Sequence, residues 1–138
     1  MIMCFSQDDL SVVEKAYAQQ TAIFGTAHCY LKDHGFGGFL GKNENLFITA
    51  HGNEDEIGNE GAGLSLTPSQ LAKVLTSHVL PGGYTGSIYV SACDSSPKYA
   101  HGLLEALGAA YHGRIYGCVG KIELAIQPPK NSMWILAK

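Results

Sequence analysis

The chain carries a single arginine, Arg114, and only 15% of its 138 residues are charged. Its 9 Lys and Arg stand against 12 Asp and Glu, a formal net charge of −3. Neutralising several phosphates needs a concentrated basic footprint, so this composition argues against nucleic acid, polyphosphate and anionic membrane surfaces as partners. No window approaches the roughly 20 apolar residues of a membrane-spanning helix. The opening MIMCFSQDDL has no basic segment followed by a long apolar stretch, so it does not read as a secretory signal, and a cytoplasmic location is the expectation. The four cysteines, Cys4, Cys29, Cys93 and Cys118, include no C-x-x-C pair, which excludes the common zinc clip and redox motif. His28, His34, His78, His101 and His112 show no metal-ligand spacing, and the acidic stretch from Glu54 to Glu60 lacks the ligand spacing of a calcium loop. No metal and no cofactor are therefore expected.

What is present is the composition of a globular protein, 46% hydrophobic, at a length that suits one domain over residues 1–138. Apolar runs bounded by turn residues alternate with helix-period segments, the pattern of an α/β domain with a largely parallel sheet. Residues 8–24 predict a helix with Asp8 and Asp9 at its start and Gly25 at its end, followed by a short strand over 27–31. The segment His34–Gly41, with four glycines in eight residues, predicts a turn or hairpin; it does not match a dinucleotide-binding glycine motif.

Two blocks then share one layout. Leu46-Phe47-Ile48-Thr49-Ala50 runs into His51-Gly52, and Ser87-Ile88-Tyr89-Val90-Ser91-Ala92 runs into Cys93-Asp94. Between them lie a loop over 53–63 and a helix with Thr67 as N-cap, Pro68 first inside and Gln70 third. Strand, helix, strand makes a βαβ unit whose right-handed crossover leaves the two strands parallel. Ser95-Ser96-Pro97 predicts the cap of a second helix ending near Gly108. A core strand is expected over 114–119, and a terminal hairpin or strand pair over 121–127 and 133–136, around Pro128-Pro129.

Ligands of open α/β sheets bind beyond the carboxyl ends of the strands. The βαβ reading brings His51 and Cys93 to that edge although 42 residues separate them. A thiolate there can attack a carbonyl while the imidazole handles protons. Cys93 is expected just ahead of a helix N-terminus, where free N–H groups favour the thiolate. Gly52 lets the backbone approach a substrate and offers an N–H to an oxyanion. Asp94 reads as a capping or solvated residue, or as one that tunes the site. Arg114 is the only arginine available to an acidic substrate side chain, and as the first residue of its strand it falls at the opposite edge. Cys4, Cys29 and Cys118 sit in apolar runs and read as buried packing residues.

The two blocks, LFITAHGN at 46–53 and IYVSACDSS at 88–96, with LSLTPSQLAKVL at 64–75 between them, resemble the caspase-like cysteine peptidases. That group includes caspases, legumains, gingipains, separases, the self-cleaving domains of large bacterial toxins and the bacterial CHAT domains, and the wording here is most similar to the last two. The resemblance covers residues 44–120. It implies a three-layer sandwich in a minimal version, a mostly parallel sheet flanked by helices. It also implies His51 as catalytic histidine, Cys93 as nucleophile, the N–H groups of Gly52 and Cys93 as oxyanion hole, and a peptide or protein substrate. The residues after Cys93 differ from the caspase pattern, so a preference for aspartate is not implied. The chain is short for the family, so the substrate groove is reduced or completed by a protein partner. Two other readings stay open: an interaction module that keeps the fold without strong catalysis, and a flavodoxin-like domain whose His34–Gly41 loop holds a phosphate.

Overall fold

A computed structural model describes residues 1–6, 9–30, 38–59, 64–122 and 125–138. Strands β1 (Ile2–Cys4), β2 (Ala27–Cys29), β3 (Leu46–Thr49), β7 (Ile88–Ser91), β8 (Ile115–Gly117) and β9 (Ile135–Leu136) form one sheet in the order β2-β1-β3-β7-β8-β9. Every pairing in it is parallel except β8 with β9. A second, antiparallel sheet joins β4 (His51–Gly52), β5 (Ile57–Asn59) and β6 (Leu64–Leu66). Among the described residues the α-helices are α1 (Leu10–Tyr17), α2 (Thr21–Phe24), α3 (Pro68–Val74) and α4 (Ala100–Leu107), the last preceded by a helical segment over Ser95–Tyr99.

The strand period of two divides the main sheet's side chains between two cores. Met1, Met3, Phe5, Leu46, Ile48, Ile88, Val90 and Ile115 share one with Leu71 and Leu75 from the α3 segment and with Tyr99, Leu103 and Leu107. Ile2, Cys4, Phe47 and Tyr89 share the other with Ala16 of α1 and Phe24 of α2. The molecule is thus a mixed α/β structure with a mostly parallel six-stranded sheet flanked by helices, compatible with a three-layer sandwich. Near-continuous burial on both faces explains why β1, β3 and β7 read as unbroken apolar runs.

The helix between the two blocks forms as its sequence requires. Thr67 Oγ1 accepts the Gln70 N–H at 3.3 Å, Gln70 Oε1 accepts the Thr67 N–H at 2.9 Å, and Pro68 fills the first position. Its last turn widens over Leu75–Val79, where the Leu80 N–H reaches the Leu75 carbonyl at 2.8 Å.

Several expectations need correction. The helix expected over 8–24 is two helices, with Asp9 capping the first. An unbroken helix turns about 100° per residue, which would set Phe24 roughly 80° around the axis from Ala16. The break lets Phe24 reach Phe47, ring centroids 5.0 Å apart. The loop expected over 53–63 contains β5, because Ile57 is fully buried in the α3-side core. No strand forms over the described part of 121–127; the final strand pairs with β8 instead, and Ile126 and Trp134 pack into the α1-side core. Residues 31–37, which hold half of the glycine-rich segment, lie outside the described residues.

Candidate active site

Strands β3 and β7 are neighbours in parallel register, with Thr49 opposite Ser91. Each chain runs two residues further, one to His51 and the other to Cys93, so the equal overhang brings both to the carboxyl edge of the sheet. Both line a cleft of about 440 Å³. Thr49 and Ser91 at the strand ends, Val12 and Lys15 on α1, and Ile122 and Ile126 also line it. Arg114 lies at the other edge, where its carbonyl accepts the Ile88 N–H at 2.9 Å.

Three groups position His51. At Ala50 the chain leaves the main sheet, so His51 belongs to β4 and pairs opposite Gly58. The Ser6 hydroxyl, fully buried, accepts the His51 N–H at 3.2 Å and donates to the Gly58 carbonyl at 3.3 Å, tying the end of β1 to both strands of the hairpin. Asp9 Oδ2 lies 2.5 Å from His51 Nε2. The other Asp9 oxygen takes the Ser11 hydroxyl at 2.6 Å and the Ser11 N–H at 3.0 Å as the cap of α1. The Ser11 hydroxyl first and His51 second hold the Asp9 carboxyl well below the usual carboxylate range. A carboxylate on Nε2 keeps the neutral ring's proton there and makes Nδ1 the basic nitrogen.

Gly52 is required by packing. A Cβ on it would meet Ile57 Cγ2 at 3.0 Å, the Glu56 carbonyl at 3.1 Å and Ala92 Cβ at 3.2 Å. The Asn53 N–H bonds to the Glu56 carbonyl at 3.0 Å, and antiparallel ladders alternate bonded with non-bonded pairs, so the Gly52 N–H points away from β5.

Cys93 occupies a turn and is half-buried. The expected helix start follows it: a helical segment, Ser95–Tyr99, interrupted at Ser96, which is extended (φ −116°, ψ 142°) as a residue before proline prefers, runs directly into α4 at Ala100. Ser95 is not a cap: its hydroxyl donates to the Val90 carbonyl at 2.8 Å and accepts the Cys118 N–H at 2.9 Å, bridging β7 to the chain after β8. What meets the sulfur is the Ile122 N–H, at 3.3 Å from Sγ. Asp94, with φ +53°, bonds Gly120 twice: its N–H donates to the Gly120 carbonyl at 3.0 Å, and its Oδ1 accepts the Gly120 N–H at 2.9 Å. Asp94 therefore makes no side-chain cap bond to the helical segment it precedes, and its exposed carboxylate is held by Gly120.

Cys4, Cys29 and Cys118 are buried. Burial pushes the Cys4 thiol up to about 11 and the Cys118 thiol up to about 12, values that keep both neutral. The described part of the acidic stretch is structured by pairing: Lys98 bonds Asp55, and Glu56 accepts the Ser65 hydroxyl. Among the described residues no group of three or more His, Cys, Asp or Glu could hold a metal ion, and no helix is long and apolar enough to cross a membrane.

Sequence reasoning missed Ser6, Ile122 and the second role of Asp9. Asp9 is visible as a helix cap, but one oxygen suffices for capping and nothing in the local pattern shows where the other points. Ile122 acts through its backbone, which carries no residue-type signal.

Comparison with protein-family models, with curated proteins and with solved structures found no match to this chain.

Proposed function

We propose that the chain is a caspase-like cysteine peptidase or related thiol hydrolase, with Cys93 as nucleophile and His51 as the proton-transfer group. The observation that carries this reading is the equal two-residue overhang of His51 and Cys93 beyond the paired residues Thr49 and Ser91, with both side chains on one cleft. The Cys93 thiolate attacks the carbonyl carbon of a bound peptide and forms the carbon–sulfur bond. The oxygen takes the negative charge and is met by the N–H of Gly52, which points away from β5, and the N–H of Cys93. His51 then gives its proton to the departing amine as the carbon–nitrogen bond breaks. In the second half, His51 takes a proton from water, the hydroxide adds to the thioester, and the thiolate leaves. Asp9 orients the ring through Nε2 and stabilises the imidazolium.

The test is covalent labelling by a panel of peptidyl acyloxymethyl ketones that differ in the residue bound before the reactive carbon. At least one member is expected to label Cys93 far faster than it labels free cysteine. His51→Ala should slow that reaction by about a hundred-fold, the scale of general acid–base assistance, and Cys93→Ala should abolish it. Labelling that survives Cys93→Ala, or that never exceeds the rate of free cysteine, overturns the peptidase reading in favour of an interaction module.

A further inference from the structure

Among the described residues the thiol of Cys93 meets one backbone donor, the Ile122 N–H, and that donor belongs to a segment, residues 118–122, that follows β8 and reaches the sulfur. A hydrogen bond to a thiolate favours the charged form, so whatever holds Ile122 in place governs how readily Cys93 ionises. The hold is local. Gly120, two residues before Ile122, is in the left-handed region at φ +78° and is fixed by the reciprocal pair of bonds with Asp94. At the near end of the segment, Ser95 Oγ and the Ser96 N–H grip Cys118 through its N–H and carbonyl. The residues directly after the nucleophile thus clamp the strand-exit segment at two points, and Asp94 supplies the point nearer Ile122.

We propose that Asp94 is a positioning residue whose carboxylate latches residues 118–122 over the site, so that the Ile122 N–H stabilises the Cys93 thiolate. This rests on the reading of Cys93 as nucleophile and adds a direct hydrogen-bond donor to the helix start that follows Cys93 as a source of thiolate stabilisation. The charge of Asp94 works against the latch, because a carboxylate next to the sulfur repels the thiolate. The two effects separate in Asp94→Asn, which keeps the Oδ1 acceptor and the left-handed turn while removing the charge, and Asp94→Gly, which removes both charge and acceptor without straining the turn. Among the described residues, the other titratable groups at the site are the same in both variants: His51 and Lys15 on the cleft, Asp9 beyond His51, Lys121 in the latched segment beside Ile122, and Cys118, which interacts electrostatically with Cys93.

The experiment follows the pH dependence of iodoacetamide alkylation at Cys93, site by site by mass spectrometry, in the full chain and the two variants. The midpoint in Asp94→Gly is expected about half to one pH unit above that in Asp94→Asn, the scale of one hydrogen bond to a thiolate. Equal midpoints in the two variants overturn the latch. Amide hydrogen exchange gives an independent reading. Ile122 and Gly120 should stay protected in wild type and in Asp94→Asn and exchange faster in Asp94→Gly; unchanged protection overturns the latch even if a midpoint moves. Because alkylation needs no peptide recognition, a midpoint difference without ketone labelling sinks the peptidase and keeps the latch. Ketone labelling with equal midpoints does the reverse.

Discussion

Asp9 Oδ2 and His51 Nε2 are 2.5 Å apart across 42 residues of chain, and the same Asp9 side chain caps α1. One carboxylate therefore ties the start of a helix to the proposed proton-transfer group. Asp9→Asn keeps a good cap but loses the charge that holds the ring. It is expected to slow ketone labelling of Cys93 by about ten-fold or more while α1 stays folded by circular dichroism, consistent with the usual cost of losing a group that fixes a catalytic imidazole.

The same carboxyl sets an acid limb of stability. Its folded pKa is depressed, so its contribution is present above the unfolded value of about 3.9 and is lost as pH falls through the lower folded value. The difference in urea midpoint between wild type and Asp9→Asn should shrink steadily as pH falls below about 4. A difference that grows below that pH contradicts the assignment.

Ser6→Ala removes the hydroxyl that links the His51 N–H to the Gly58 carbonyl and leaves both without it. Uncompensated buried polar groups of this kind cost about 1–3 kcal/mol. Urea unfolding should show that loss, and ketone labelling should fall further than the change in folded population explains, because the lost link is the one that seats the histidine's backbone.

Gly52→Ala and Gly117→Ala are expected to differ in severity. At Gly52 the new methyl meets the side chains of Ile57 and Ala92 and one carbonyl at 3.0–3.2 Å, a crowding that overpacked sites relieve at about 1–3 kcal/mol. At Gly117 it meets the Ser95 carbonyl oxygen at 2.7 Å and carbon at 2.8 Å, backbone of a residue whose hydroxyl is bonded to Val90 of β7 and to Cys118. Thermal unfolding should rank Gly117→Ala as the less stable, and a reversed order would show that the Ser95 turn yields easily.

The cysteines offer a simpler test. Iodoacetamide at pH 8 should modify Cys93 in the native protein and spare Cys4, Cys29 and Cys118, all buried. Because Cys4 and Cys118 ionise only near 11 and 12 when folded, their contribution to stability is complete below the ordinary thiol value of about 9 and is lost as pH rises toward the folded values. Urea midpoints should therefore fall between pH 9 and 11, and less steeply in Cys118→Ala.

The sequence shows the parts of this molecule that follow from repeating patterns. The runs of β3 and β7, the capping box at Thr67 and the joint arrival of His51 and Cys93 at one edge all come from strand length, burial and the handedness of a crossover. It does not show β5, whose only mark is Ile57 between acidic residues and glycine. Nor does it show the break before α2, set by where Phe24 must point, or the interruption ahead of α4, where Pro97 holds Ser96 extended. The polar links from Ser6, Asp9 and Ile122 join residues far apart in the chain, and they exist only once the sheet has brought those ends together.

The sheet change at Ala50 divides the proposed reacting pair between two hydrogen-bonded units. Cys93 hangs from the six-stranded sheet, and His51 rides on a three-stranded hairpin whose attachments are Ser6, Asp9, the Tyr99 hydroxyl on the Leu66 carbonyl and the burial of Ile57. Opening the hairpin costs less than opening the sheet, as short units with few buried contacts open first. Rising denaturant should thus abolish ketone labelling of Cys93 while the main body is still native, and a screen that scores folding alone will pass variants in which His51 no longer lines the cleft with Cys93.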